Sequence, residues 1–385
     1  MIPYGKQSIS QDDINSVISV LQSDFLTQGP QVPLFEKVVA NYCGVDYGIA
    51  VNSATSALHI ACLSLGLGKG DLLWTSPNSF VASANCGLYC GAEVEFVDID
   101  QQTYNLSTKE LESKLILAKQ KNKLPKIVIP VHFAGQSCDM KKIYSLSQEY
   151  GFYIIEDASH AIGGKYLDKY IGSCQYSDIT VFSFHPVKII TTAEGGLATT
   201  NNASIAKKMS LYRSHGITRD QKLMSKVSEG DWYYQQIGLG FNYRMTELQA
   251  ALGSSQINRL DEFIDKRHSL QKRYDTLLKD LPIVLPYQSQ DAYSALHLYP
   301  VLIELEKTGK GREKIFNELR NKGIGVNVHY IPIHLQPYYK SLGFKTGDYP
   351  NAENYYNRVI SIPLFYDMTM NEHDKVVEAL TEILQ

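Results

Sequence analysis

The sequence lacks the features that mark membrane proteins and nucleic-acid-binding proteins. No stretch approaches eighteen uninterrupted apolar residues, and the opening MIPYGKQSIS has neither the charged start nor the apolar middle of a signal peptide. The 37 Lys and Arg against 40 Asp and Glu give a net charge of −3, without the strongly basic character of nucleic-acid binders. We therefore expect a cytoplasmic protein that binds neither membranes nor nucleic acids.

A recognisable metal-ligand pattern is also absent. The six cysteines are scattered without a CxxC pair, and Cys86 with Cys90 makes a poor metal site in the absence of a nearby His pair. His329 and His334 could be taken as a metal pair, but Pro332 between them keeps them off one helix face. We expect no metal, and we expect reduced, mostly buried thiols.

What the sequence does contain is an alternation of strand-like and helical segments over its first half. Short apolar segments predict strands at 47–51, 72–76, 94–99, 126–133, 151–157 and 177–184, and helical patterns separate most of them. This alternation implies crossover connections and a largely parallel sheet buried by helices on both faces. In such sheets, ligands bind beyond the carboxyl ends of the strands.

The pattern changes near residue 255. A long helical stretch over 245–281 leaves the first domain, and a strand at 297–305 with helices at 311–323 and 371–384 predicts a smaller α+β unit. A chain of 385 residues is long enough for two domains. We predict an N-terminal arm and large domain over 1–250, and a small C-terminal domain over 251–385.

Three segments place reactive side chains at predicted strand ends. Asp157 ends the apolar strand of IIEDASHA, and Lys188 lies in the apolar run SFHPVKIITTAEGG, five residues after Ser183. In VNSATSALH, a strand runs into a helix whose first turn contains the hydroxyl residues Ser53, Thr55 and Ser56, and such a helix N-terminus suits a phosphate. Each feature alone has a commoner explanation, namely helix capping or a surface lysine.

Together the three segments meet the needs of pyridoxal 5′-phosphate (PLP). A lysine amine forms a Schiff base with its aldehyde, and a carboxylate keeps its pyridine nitrogen protonated so that the ring accepts electrons. An aromatic side chain stacks on the ring, and Phe80 lies just past another strand end. Apolar surroundings beside a cationic ring would lower the pKa of Lys188, which suits a nucleophile and proton carrier.

The sequence also resembles the DegT-type sugar-nucleotide aminotransferases, a branch of the fold-type I PLP enzymes. The resemblance covers nearly the whole chain and implies the α/β, aspartate aminotransferase-like fold, with a mostly parallel mixed sheet in the large domain. The matching stretches are LTQGPQVPLFE, VNSATSALH, SFVASAN, EDASHAIG, SFHPVKIITTAEGG, RSHGI, GFNYRMTELQAALG, HLYPVLI and VHYIPIHLQPYY.

The resemblance assigns roles around the cofactor ring. It implies that Lys188 is the Schiff-base lysine, Asp157 the partner of the pyridine nitrogen, and Phe80 the stacking residue. His160 would lie near the phenolic oxygen of the ring. Family members that are dehydrases carry histidine in place of the lysine, so Lys188 favours transamination.

The resemblance also assigns the phosphate site. Ser183, Thr55 and Ser56 would bind the phosphate, and Asn242 in GFNYR would reach it from the neighbouring subunit. The family pattern therefore implies a homodimer with shared active sites.

Within the family, the chain is most similar to the branch that serves pseudaminic acid biosynthesis. That branch uses L-glutamate to aminate C4 of UDP-2-acetamido-2,6-dideoxy-β-L-arabino-hex-4-ulose. By this likeness Tyr4 would contact the sugar nucleotide, and His329 is a further substrate-side candidate. Arg213 could hold a carboxylate or form a surface ion pair.

We thus expect a PLP-dependent transaminase that uses glutamate and a UDP-linked keto sugar. Two alternatives stay open. The enzyme could act on another nucleotide sugar, such as a dTDP- or GDP-linked keto hexose. The chain could instead be a PLP-binding sensor, although no fused DNA-binding segment is visible.

Overall fold

A seven-stranded sheet organises the larger part of the molecule. The computed structural model describes all residues from 1 to 385. The whole molecule has fifteen strands, of which seven form this sheet. They are β1 (Tyr47–Val51), β2 (Leu72–Thr75), β3 (Glu93–Phe96), β4 (Ile127–Ile129), β5 (Tyr153–Asp157), β6 (Lys165–Tyr166), β7 (Lys169–Tyr170), β8 (Ile179–Ser183), β9 (Gly196–Thr200), β10 (Ile217–Thr218), β11 (Gln235–Gln236), β12 (Ile283–Val284), β13 (Ala292–Tyr293), β14 (Tyr299–Ile303) and β15 (Val359–Ile362).

Helices cover this sheet and form part of the C-terminal region. They are α1 (Gln11–Leu21), α2 (Gln31–Cys43), α3 (Ala54–Ser64), α4 (Ala82–Tyr89), α5 (Thr108–Gln120), α6 (Met140–Tyr150), α7 (Ala203–Tyr212), α8 (Glu247–Ile257), α9 (Leu260–Leu278), α10 (Leu305–Thr308), α11 (Arg312–Asn321), α12 (Pro337–Ser341), α13 (Pro350–Arg358) and α14 (Met370–Leu384). Short 3-10 turns occur at Phe133–Gly135 and Ile333–Leu335. None of the helices is long and apolar enough to cross a membrane.

The large sheet has the order β1-β9-β8-β5-β4-β2-β3. Its neighbouring strands are parallel except at β9, which pairs antiparallel with both β1 and β8. The parallel pairing of β5 with β8 brings the ends of these strands to one edge of the sheet. The predicted α/β fold with a mostly parallel mixed sheet is confirmed.

Both faces of the large sheet are buried, as the apolar strands predicted. Neighbouring residues of a strand point to opposite faces, so Ile49 and Ala50 of β1 pack into two different hydrophobic clusters. In β5, Ile154 and Ile155 divide between two clusters in the same way. Fully covered faces confine the ligand site to the carboxyl edge of the sheet.

The C-terminal region has a separate small sheet. Its strands β12, β14 and β15 are antiparallel, and α11, α14 and the second half of α9 supply much of the cluster that covers them. Phe263 in the first half of α9 packs into a cluster of the large sheet, whereas Tyr274 packs into the small-sheet cluster. The predicted boundary between residues 250 and 251 falls inside α8, and the division into two domains there stays a prediction.

The short strands β6, β7, β10 to β13 and β15 were not predicted from the sequence, and two further features differ. The helical stretch predicted over 245–281 is two helices, because α8 ends at a cap on Asn258 and α9 begins at Leu260. The sequence analysis also missed β9, whose GLATT sequence has small side chains and little apolar periodicity. This antiparallel strand follows the Lys188 segment directly and returns the chain to the start of α3.

Candidate active site

A cavity of about 620 Å³ opens at the carboxyl ends of β5 and β8. Eight of the ten site residues predicted from the sequence line it, namely Tyr4, Thr55, Phe80, Asp157, His160, Ser183, Lys188 and His329. The other two, Ser56 and Asn242, do not line it. The structure therefore assembles most of the predicted site from segments distant in sequence.

Asp157 is a buried carboxylate at the end of β5, only 5 % exposed. Its Oδ2 accepts a 2.6 Å hydrogen bond from the Ser83 hydroxyl, and its Oδ1 accepts a 3.1 Å bond from the Ser159 backbone N–H. Neither donor is charged, and the carboxylate forms no ion pair with the protein. A carboxylate offers about four acceptor positions, so Asp157 can accept a further N–H from a ligand.

Lys188 lies in the turn that follows β8, with its side chain half-buried at the cavity wall. Its backbone N–H bonds to the His185 carbonyl at 2.9 Å, but its amine has no hydrogen-bond or ion-pair partner. Burial lowers the pKa of Lys188 to about 8, although the charge of Asp157 opposes this shift. Near neutral pH the amine is therefore neutral far more often than an ordinary lysine amine.

The start of α3 forms another wall of the cavity. Ser53 caps this helix, since its hydroxyl accepts a 3.1 Å hydrogen bond from the Ser56 N–H. The Ser56 hydroxyl donates a 2.7 Å bond to Asn52 Oδ1, which explains why it is held within the cap network and does not line the cavity. Ser53, Ala54 and Thr55 line it instead.

Gly196 allows β9 to pass directly behind this helix start. A Cβ on Gly196 would lie 2.4 Å from the Ala54 nitrogen and 2.5 Å from the Ser53 carbonyl carbon. Backbone atoms cannot yield as a flexible side chain can, so only glycine fits here. Gly196, eight residues after Lys188, thus permits a close backbone approach to the predicted phosphate site.

Aromatic and imidazole rings form the opposite wall. His160 Nε2 lies 3.1 Å from the Tyr330 hydroxyl, and the ring of His297 lies 4.4 Å from that of His160. The Tyr4 ring lies 5.2 Å from the His329 ring. Burial lowers the pKa of His329 to about 3, so this imidazole is neutral.

Sequence analysis missed several lining residues, which include Tyr330, His297 and Asn327. Tyr330 and His297 lie within VHYIPIHLQPYY and HLYPVLI, two of the stretches that match the family, but only the fold shows that they share a cavity with Lys188. His297 is 5 % exposed, and its Nδ1 atom is buried without a hydrogen-bond partner.

The remaining candidates lie elsewhere. Arg213 forms an ion pair with Glu36 and donates a 2.7 Å hydrogen bond to the Ala50 carbonyl. Of the two alternatives for Arg213, the structure therefore shows the ion pair. His334 Nε2 bonds to Glu353 at 2.9 Å. Asn242 is exposed, forms an isolated β-bridge with Ser214 and does not line the cavity of its own chain.

The cavity fits PLP on four observations. Its lysine amine has no protein partner, and its buried carboxylate has acceptor positions left for the pyridine nitrogen. The start of α3, where only glycine fits behind the backbone, presents a helix N-terminus for the phosphate. Phe80 is 60 % exposed at the cavity wall, which leaves its ring face open to a planar ligand.

Comparison with known proteins agrees with this geometry. Residues 7–381 match the model of the DegT/DnrJ/EryC1/StrS aminotransferase family. The chain therefore belongs to this family. It is a PLP-dependent sugar aminotransferase of fold-type I.

Three proteins illustrate the similarity. The spore coat polysaccharide biosynthesis protein SpsC of Bacillus subtilis is 38% identical over 387 residues, which cover 100% of this chain and 97% of SpsC. The UDP-4-amino-4,6-dideoxy-N-acetyl-beta-L-altrosamine transaminase of Campylobacter jejuni is 37% identical over 388 residues, which cover 100% of this chain and 98% of that enzyme. The solved structure of Helicobacter pylori PseC, an aminotransferase involved in the biosynthesis of pseudoaminic acid, superposes with a TM-score of 0.90 at 30% identity, covering 100% and 99% of the two chains.

Proposed function

We propose that this enzyme transfers the amino group of L-glutamate to C4 of a UDP-linked 4-keto-6-deoxy-N-acetylhexosamine. The product would be UDP-4-amino-4,6-dideoxy-N-acetyl-β-L-altrosamine, a precursor in pseudaminic acid biosynthesis. The observation that carries the chemistry is the unpartnered Lys188 amine in one cavity with the buried Asp157 carboxylate. The full-length similarity to the Campylobacter jejuni transaminase and to PseC supports the choice of substrate.

Lys188 and Asp157 carry the proton chemistry in this proposal. When bound, PLP supplies an electron sink for the electron pair released at a substrate carbon. Asp157 holds a proton on the pyridine nitrogen. Lys188 Nζ takes the proton from Cα of glutamate, and later delivers a proton to C4 of the sugar. Its pKa of about 8 suits both directions, because the amine accepts and returns a proton near working pH.

The other lining residues position the reactants. Phe80 would pack against one face of the cofactor ring, and Thr55 and Ser183, which also line the cavity, would hydrogen-bond the phosphate at the start of α3. Ser56, predicted to touch the phosphate, holds the helix cap next to Thr55. Tyr4 and His329, whose rings are 5.2 Å apart at the cavity wall, would face the sugar nucleotide.

We further propose a homodimer in which Asn242 completes the phosphate site of the partner. Asn242 is exposed and does not line the cavity of its own chain, which leaves its side chain free to serve another subunit. Mixing Lys188→Ala with Asn242→Ala subunits tests this. Each hybrid dimer would contain one site with both an intact Lys188 and an intact Asn242, so activity would return. If Asn242 acts within its own chain, mixing restores nothing.

A panel of nucleotide sugars tests the substrate. With glutamate as donor, kcat/KM is measured for the UDP-linked 4-keto sugar and for dTDP- and GDP-linked keto hexoses. We expect kcat/KM to be at least about tenfold higher for the UDP-linked sugar, because the wrong nucleotide would lose a few hydrogen bonds to the protein. Preference for another nucleotide would refute the assigned substrate and leave the transaminase chemistry intact.

A further inference from the structure

The hydroxyl of Tyr330 lies at the cavity wall with only one protein partner. That partner is His160 Nε2, at 3.1 Å. Which of the two groups donates decides what Tyr330 can offer to a ligand. A hydroxyl that accepts from the protein keeps its own proton free, whereas a hydroxyl that donates to the protein has none to give.

The backbone settles the direction of this hydrogen bond. The Ala134 N–H can only donate, and it points at His160 Nδ1 from 3.3 Å, so Nδ1 is the acceptor nitrogen. Burial, together with the nearby Lys188 charge, holds the pKa of His160 well below its usual range, so the ring is neutral and carries one proton. That proton must therefore be on Nε2, and His160 donates to the Tyr330 oxygen.

The turn that supplies the Ala134 N–H is firmly held. A Cβ on Gly135, whose φ is +103°, would lie 2.7 Å from the Leu296 nitrogen and 3.0 Å from the His160 carbonyl oxygen. The Ala134 carbonyl accepts a 2.8 Å hydrogen bond from the His297 N–H. The close packing of this glycine turn fixes the orientation of His160, and through it the position of the Tyr330 oxygen.

Tyr330 keeps its proton across the working pH range. Burial raises the pKa of Tyr330 above its usual value, and the negative charge of Asp157 raises it further. The hydroxyl proton has no acceptor within the protein, although Tyr330 lines the cavity that contains Lys188 and Asp157. A buried donor without a partner is costly, so a ligand oxygen is its natural acceptor.

We propose that Tyr330 donates a hydrogen bond to a carbonyl or phenolate oxygen of the bound reactants, with His160 as its positioning residue. Two oxygens have this chemistry, namely the phenolic oxygen of PLP and the C4 oxygen of the keto sugar. The proposal rests on the proposed function, in which this cavity holds both molecules. It also revises the expected role of His160, because both of its ring nitrogens are already engaged by the protein.

Tyr330→Phe tests the proposal in the PLP-loaded enzyme. If the acceptor is the phenolic oxygen, loss of the donor disfavours its anionic form. The pKa read from the absorbance of bound PLP without substrate should then rise by about 1. If the acceptor is the sugar oxygen, this titration stays unchanged. In that case kcat/KM for the keto sugar falls about tenfold or more, while the glutamate half-reaction keeps its rate.

Two sets of variants separate this effect from general damage. Tyr42→Phe removes a hydroxyl that bonds to Asp261 at 2.6 Å and does not line the cavity, so it should change neither readout. His160→Leu should reproduce the effect of Tyr330→Phe, and His160→Gln, which keeps an N–H near the Nε2 position, should restore part of it. Unchanged titration and unchanged sugar kinetics in folded, PLP-loaded Tyr330→Phe would overturn the proposal. Failure of the proposed substrate would instead appear in the wild-type enzyme.

Discussion

The Ser83 hydroxyl donates a 2.6 Å hydrogen bond to Asp157 Oδ2 and so joins the first turn of α4 to the end of β5. Ser79 lies behind it, with its hydroxyl 2.7 Å from that of Ser83. All three side chains are at least 95 % buried. This serine pair fixes the orientation of the carboxylate without adding a charge beside it, and leaves acceptor positions of Asp157 open to the ligand.

Ser83→Ala should weaken PLP binding without unfolding the protein. A hydrogen bond to a charged group contributes about 1.5–3 kcal/mol, so we expect the Kd for PLP to rise about tenfold or more. Titration of the apo-protein with PLP, followed by absorbance, measures this. Ser79→Ala is the matched control, because it removes a hydroxyl one step further from Asp157 and should change Kd less. An unchanged Kd in Ser83→Ala would show that Asp157 does not depend on Ser83.

Gly196→Ala should lower both stability and PLP affinity. The new Cβ would meet the backbone at the start of α3 at 2.4 Å, and such overpacking costs about 1–3 kcal/mol. With an unfolding entropy of about 2.1 cal/mol/K per residue, each kcal/mol lowers the Tm of this 385-residue chain by roughly 1 °C. Thermal melts and PLP titration provide the measurements. Gly68→Ala serves as control, since a Cβ there meets nothing within 4 Å. A Gly196→Ala protein with wild-type Tm and Kd would mean that β9 and α3 separate easily.

The rate at which apo-protein captures PLP should follow the titration of Lys188. Only the neutral amine attacks an aldehyde. Because burial lowers the pKa of Lys188 to about 8, the rate should rise with pH up to about 8 and level off above it. An ordinary lysine would give a rate that still rises through pH 9. Stopped-flow absorbance with excess PLP gives the profile.

The Asp157→Asn variant gives a second test of the pKa of Lys188. The negative charge of Asp157 favours protonated Lys188 and thus raises the pKa of the lysine. Its removal should move the midpoint of the capture profile to lower pH, even though binding itself becomes weaker. A wild-type midpoint near 10, or a shift to higher pH in Asp157→Asn, would contradict the described environment of Lys188.

Much of the fold follows from the sequence because local patterns carry it. The apolar run YGIAV predicts β1 at the residues where it occurs, and β5 ends at Asp157 as predicted. Strand β9 could not be found in this way, since it is held by pairing with β1 and β8 and not by its own apolar side chains. The break between α8 and α9 was also missed, because only Asn258 and Arg259 separate the two helices and no glycine or proline marks the break.

Some residues of the candidate site could likewise be predicted from local sequence patterns, and others could not. Lys188, Asp157 and Thr55 are predictable because each follows a strand, and strand ends of a parallel sheet meet at one edge. Tyr330 could not be predicted in this way, because it lies 170 residues from its partner His160 and comes from the C-terminal region. Ser56 was predicted to bind the phosphate because it lies in the first turn of α3. Only the structure shows that its hydroxyl also bonds within the helix cap, and its phosphate contact stays a prediction.

Transfer of labelled nitrogen tests the central claim most directly. The PLP-loaded enzyme is supplied with L-glutamate carrying an isotopically labelled amino nitrogen and with the UDP-linked 4-keto sugar, and the nucleotide sugar is analysed by mass spectrometry. The account predicts that the label appears at C4 of the sugar in place of the oxygen, and that Lys188→Arg transfers none. A folded, PLP-loaded wild-type enzyme that leaves this sugar unlabelled, or a Lys188→Arg variant that labels it at the wild-type rate, would contradict it.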